Sequence, residues 1–100
     1  MDPDIPSFMI ADVVQSTAGR DEGKLYYVIE ADENYLVLVN GKDRTMEKPK
    51  RKKSKHIKKV LRSETRVAEK LRIGEKVLSS EIRRDLAYLS QTMQGNDLGG

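Results

Sequence analysis

The sequence predicts a mainly β fold with an α-helical C-terminus: five short strands curled into a small antiparallel barrel, followed by two short helices. Three observations lead there. Over residues 8–61, short runs of β-branched and aromatic residues alternate with breaks rich in Gly, Asn and Asp. After residue 62 the apolar spacing changes to a helical period. The chain has 100 residues, 37% of them hydrophobic, with no Trp and one Phe. That composition supports one modest core and excludes a deep cleft between two large domains.

In chain order, Met9 to Ser16 is rich in β-formers and ends at Gly19-Arg20-Asp21-Glu22-Gly23, whose two glycines suit a turn with positive φ. Lys24 to Ala31 resumes as a second strand up to the polar turn Asp32-Glu33-Asn34, and Tyr35 to Val39 follows as a third. Asn40-Gly41 carries the type I′ hairpin signal and predicts a fourth strand over Lys42 to Met46. Pro49 interrupts, and Lys55 to Leu61 supplies the fifth. Tight turns between so many short strands favour a closed barrel, which leaves no exposed edges. Leu36 and Leu38 are as apolar as Tyr35, Val37 and Val39, so the inward face of that run stays open.

Glu64 to Arg72 places Val67, Ala68 and Leu71 on one helical face and stops at Gly74, a natural C-terminal cap. Ser79 is placed to cap a second helix, with Glu81 near its positive end. Ile82, Leu86, Leu89 and Met93 form its apolar stripe. That stripe buries either against Val67, Leu71 and the barrel or against a second copy. The short linker Ile73 to Leu78 favours the first arrangement and a monomer. The expected organisation is a barrel over 8–61 containing a basic segment at 48–59, a helical appendage over 62–94, and a flexible tail over 95–100.

The net charge of +3 hides a strong sorting of charge. Lys42 to Arg72 holds fourteen Lys or Arg against four acids, whereas the remaining residues hold five bases against twelve acids. A polycation of this kind attracts a polyanion to one face, which leaves nucleic acid, an anionic membrane surface and an acidic protein open. Within Lys48 to Lys59, eight of twelve residues are Lys or Arg. Pro49 and Ser54 oppose a clean helix or strand there, and like charges keep the run from folding on itself, so a basic loop is expected.

Several classes are excluded. With no cysteine, disulfides, thiolate metal sites and cysteine nucleophiles are absent. The one histidine, His56, has no second His or Cys to share a metal and reads as a barrel-closing residue. Tyr35 to Val39 is as long as any uninterrupted apolar run, far below the roughly 20 residues of a spanning helix. The opening Met1-Asp2-Pro3-Asp4-Ile5-Pro6 is acidic and broken by proline, unlike a secretory signal, and a cytoplasmic location is expected. No phosphate loop appears and no cofactor or catalytic residue is assigned, so an enzyme is not expected.

The segment Val14 to Lys24, with Gly19-Arg20-Asp21-Glu22-Gly23 before an apolar strand, resembles the KOW motif of ribosomal proteins and NusG-class elongation factors. From about Met9 to Leu61 the chain is most similar to the archaeal and eukaryotic large-subunit ribosomal protein family of the "fourteen-e" type. Gly19, Arg20, Asp21, Gly23, Asn34, Gly41, Arg51, Lys52, Lys53 and His56 carry that likeness. It departs from the wider pattern at Leu25-Tyr26, where many members place another glycine.

The resemblance implies an SH3-like barrel that binds RNA, specifically ribosomal RNA, with ribosomal proteins as further partners. Twelve cations are then assigned to RNA: Arg20 and Lys24 at the turn, Lys42, Arg44 and Lys48, then Lys50, Arg51, Lys52, Lys53, Lys55, Lys58 and Lys59. Gly19, Gly23 and Gly41 are the structural turn residues. The four tyrosines are the candidates for base stacking, with core packing the expected role of three of them. Tyr26 and Tyr27 are adjacent on a strand, so one is expected inside and the other outside. An alternative is a protein-interaction adaptor of the transcription or translation machinery, in which the barrel grips a partner protein and the basic segment steers encounter.

Overall fold

Strands and helices form where the local pattern changes, and the computed structural model describes them over residues 8–99, with side chains through Met93. Strands β1 (Asp12–Ser16), β2 (Leu25–Ala31), β3 (Tyr35–Val39), β4 (Lys50–Lys53) and β5 (Ile57–Arg62) precede helices α1 (Arg66–Ile73) and α2 (Ser79–Gly99). A single 3-10 turn, Ser54–His56, joins β4 to β5. All strand pairs are antiparallel, in the order β4-β3-β2-β1-β5. The sheet is open: β4 and β5 are its edges, so the closed ring expected from the tight turns is not formed by hydrogen bonding. Register shifts at Val13/Val14 in β1 and at Val28/Glu30 in β2 bend it, because bulges sharpen local twist. No helix among the described residues is long and apolar enough to cross a membrane.

Both faces of the sheet are buried, by different means. On one face Val14, Tyr26, Val28, Leu36, Leu38 and Ile57 pack against each other, with Phe8 beside them. On the other, Ala11, Val13, Tyr27 and Val39 meet Ala68 and Leu71 of α1, Val77 of the linker, and Ile82, Leu86 and Leu89 of α2. This two-sided burial is why Tyr35 to Val39 reads as a continuous apolar run with no preferred side. It also corrects the expectation for Tyr26 and Tyr27: they point to opposite faces, yet both are buried. Each fully buried apolar side chain contributes about 1.5–3 kcal/mol. The apolar stripe of α2 is therefore covered from within the chain.

Polar groups fix the helices on the sheet. The Tyr27 hydroxyl donates to the Asp85 carboxylate of α2, which leaves the Ser63 hydroxyl, 2.8 Å away, to donate to the phenol oxygen. Thr65 Oγ1 donates to the same carboxylate oxygen at 2.8 Å and accepts the Ala68 N–H at 3.2 Å as the N-cap of α1. Burial first, and then the Asp85 carboxylate, push the Tyr27 phenol up to about 12. Gly74 closes α1 with φ +77, as its position after the last apolar residue predicts. The start of α2 is not capped by Ser79. The Glu81 carboxylate instead reaches back to the Leu78 N–H (2.8 Å) and also accepts from Lys70 (3.0 Å), contacts that hold it below the ordinary glutamate range.

Two segments differ from expectation. Residues 42–46 form a loop, not a strand, because the Asn40 side chain supplies the acceptor a partner strand would have offered. Its Oδ1 accepts the N–H groups of Lys42 (2.9 Å) and Arg44 (3.0 Å), while the Arg44 carbonyl accepts those of Asn40 (2.9 Å) and Gly41 (3.0 Å). The partner of β3 comes from the basic segment, where Lys50–Lys53 forms a true edge strand with Tyr35 opposite Lys53 and Val37 opposite Arg51. Alternation makes this tolerable, since neighbouring cations in a strand leave on opposite faces. Helix α2, at 21 residues, is longer than the short helix expected. The acidic opening Met1 to Pro6 and the flexible tail expected over 95–100 lie outside the residues whose side chains are described.

Gly19 and Gly23 have positive φ (+85° and +90°), as the turn required. A Cβ at Gly23 would meet nothing within 4 Å, so its cost is backbone strain alone. Gly23→Ala is expected to lower stability by about 1–2 kcal/mol in urea denaturation. A variant as stable as the original would remove the conformational requirement from this turn.

Candidate nucleic-acid interface

The glycine turn between β1 and β2 is built around one buried acid. The Gly23 N–H bonds the Ser16 carbonyl (2.8 Å) and the Lys24 N–H the Asp21 carbonyl (2.9 Å), which folds the Asp21 side chain beneath the turn. There it accepts from Ser16 Oγ (2.9 Å), the Tyr26 hydroxyl (3.0 Å) and Lys52 Nζ (2.6 Å), with Lys50 Nζ at 3.3 Å. Lys52 also bonds the Ala18 carbonyl at 2.7 Å. Burial pushes the Asp21 carboxyl up, but these donors outweigh it and hold the group well below the usual carboxylate range. Tyr26 moves upward, through burial first and then the Asp21 carboxylate.

Two of the twelve cations assigned to RNA are thus engaged inside the fold. The Lys52 side chain is 11% exposed and Lys50 25% exposed, both directed at Asp21. Arg44 is half-buried. Lys24 pairs with Asp43 at 3.5 Å, and Lys59 pairs with buried Asp12 at 3.1 Å and lies 5.9 Å from the Phe8 ring. Arg20, Lys42, Lys48, Arg51, Lys53, Lys55 and Lys58 are exposed.

These exposed cations fall into separate groups. Arg51, Lys53 and Lys55 follow one another along β4 and the 3-10 turn. Lys58 lies on β5 opposite Gln15 of β1, and a groove of about 460 Å³ there includes Gly23, Lys58, Lys59 and Ser90. Lys24 and Lys42 sit in another hollow with Asp43 and, from α2, Arg83, a cation the sequence reading missed. The Thr17 N–H bonds the His56 carbonyl (2.9 Å), so the glycine turn meets the 3-10 turn, and His56 joins them through its backbone.

Tyr35 is the aromatic of this surface. It is half-buried, and the Arg51 guanidinium sits over its ring, 4.3 Å from the centroid. A hollow of about 370 Å³ beside it is lined by Asn34, Tyr35, Lys53 and Lys55. A second, of about 480 Å³, is lined by Tyr35 and Arg51 together with the acids Glu30 and Asp32. Among the described residues no group of three or more His, Cys, Asp or Glu is placed to hold a metal. The arrangement is suited to anion binding next to an aromatic ring. No protein-family model matches the sequence, and no curated protein matches it.

Proposed function

We propose that this chain is a non-catalytic RNA-binding protein of the KOW type, an SH3-like barrel associated with the ribosome in the cytoplasm, that holds ribosomal RNA by its backbone as a single copy. The observation that carries the reading is the run of exposed cations Arg51, Lys53 and Lys55 along an edge strand and the turn after it, with exposed Lys58 following at the start of β5. Among the described residues Arg51 is engaged with the Tyr35 ring and the nearby Asp32 charge, and Lys53, Lys55 and Lys58 have no ion-pair partner. Phosphate is the anion that such a spaced row matches, because successive cations track a backbone. The sheet order and the 3-10 turn before β5 support the barrel assignment. The positive-φ glycines flanking inward Asp21 support the KOW turn. The covered stripe on α2 supports the single copy.

Changing Arg51, Lys53, Lys55 and Lys58 together to Ala is expected to weaken binding to RNA of any sequence. The log–log salt slope should become shallower by about 2–3, at roughly 0.7 per phosphate lost. Lys50 and Lys52 are left in place because their removal would act on the fold. Copurifying material that absorbs at 260 nm and disappears with ribonuclease supports the reading. An unchanged salt slope, or equal competition by polyglutamate, overturns it in favour of a protein partner.

A further inference from the structure

We infer that Tyr35 is the stacking platform for one unpaired nucleobase, so that the ligand class of this surface is single-stranded or looped RNA and not a continuous duplex. This rests on the RNA-binding reading above and adds the form of RNA to it. The helices pack over the sheet at Tyr27 and Val39, whereas Tyr35 lies outside that core cluster and stays partly exposed. Arg51 occupies one side of the Tyr35 ring. The hollow that Arg51 does not line is framed by Tyr35, Asn34, Lys53 and Lys55.

Each of those four residues has a distinct part in holding a nucleotide. The Tyr35 ring offers a flat apolar surface, and the guanidinium behind it adds a cation to the stack. The Asn34 amide carries both a donor and an acceptor for a base edge. Lys53 and Lys55 flank the hollow, where the phosphates on either side of a splayed base would pass. The neighbouring hollow is lined by Glu30 and Asp32, which repel phosphate, and this fixes the side of Tyr35 on which the strand runs. A duplex keeps its bases stacked inside and presents only its backbone, so it gains nothing from the ring.

The test uses the full chain and two fluorescently labelled RNAs of equal length, an unstructured oligouridylate and a perfectly paired duplex, with binding followed by anisotropy over a salt series. The oligouridylate is expected to bind more tightly than the duplex. Tyr35→Ala should weaken it about 10- to 100-fold without changing the salt slope, while leaving the duplex unaffected. Tyr35→Phe should retain the affinity. Tyr35→Val, which keeps a strand-forming residue, replaces Tyr35→Ala if circular dichroism shows that variant unfolded. Equal losses for both RNAs, or no loss for either, overturn the stacking platform while leaving backbone binding standing. Failure of the unmodified chain to bind either RNA overturns the RNA-binding reading itself.

Discussion

Gly41→Val is expected to leave the chain without a cooperative native state at ambient temperature, or to lower its melting point by some tens of degrees. Gly41 is buried at φ +76, and the first turn of α2 lies directly over it. A Cβ there would come within 2.2 Å of the Ser79 carbonyl oxygen, 2.7 Å of the Arg83 nitrogen and 3.1 Å of Ile82 Cβ. Two of those atoms are helix backbone, so relief requires moving α2 off the sheet. Ile82 is fully buried in the core beneath, and that motion would expose it. The left-handed backbone adds about 1–2 kcal/mol for a β-branched residue, and overpacking typically adds about 1–3 kcal/mol or more. For a domain of this size each kcal/mol is worth about 4–8 °C. Gly23→Ala, strained but unobstructed, is the comparison, and a Gly41→Val protein melting within a few degrees of it would refute the close approach.

Asp21→Asn is expected to cost about 3–5 kcal/mol at neutral pH, because it strips the charge from a buried site and leaves the Lys52 ammonium with neutral acceptors only. The pH dependence identifies the mechanism. The folded carboxyl lies well below its ordinary value of 3.8. Its stabilisation is therefore fully present above that value and is lost as pH falls from about 4 through the lower folded value. The stability gap between original and variant should accordingly narrow as acid protonates Asp21, and urea denaturation between pH 5 and 2 reads this directly. Asp32, Asp43 and Glu81, also lowered, remain in both proteins and cancel from the difference. A gap that stays constant across that range would mean that the loss comes from packing and not from the ion cluster.

What the sequence made legible is what local pattern determines. The stripe Ile82, Leu86, Leu89 was readable because helical period is a property of one segment, and the positive φ of Gly19, Gly23 and Gly41 because turn chemistry is local. Asn40-Gly41 misled because the hairpin signal and an Asx-type loop share the same two residues, and only Asn40 Oδ1 choosing the Lys42 and Arg44 N–H groups separates them. The basic segment misled for a long-range reason. Lys50–Lys53 forms a strand only because Asp21, some thirty positions earlier, neutralises the two lysines that face inward. The same distance hid the candidate site, since Tyr35 and Arg51 meet only once β3 and β4 are in register. Residue charge marked the surface correctly as basic, yet could not distinguish Lys52, held inside, from Lys53, displayed.

The composition of β4 governs how this protein meets copies of itself. An edge strand presents a row of unpaired N–H and C=O groups, and an open sheet with two such edges is a template for endless lateral growth. Here one edge reads Lys-Arg-Lys-Lys, and the other, β5, carries exposed Lys58 and Lys59. Joining any two edges would bring Arg51, Lys53 or Lys58, cations that no described acid pairs, against like charges across a strand spacing of about 4.8 Å. The sheet is thus kept from polymerising by the side chains that would also recruit a polyanion. A variant of β4 with Arg51 and Lys53 neutralised gives up that protection against edge-to-edge assembly.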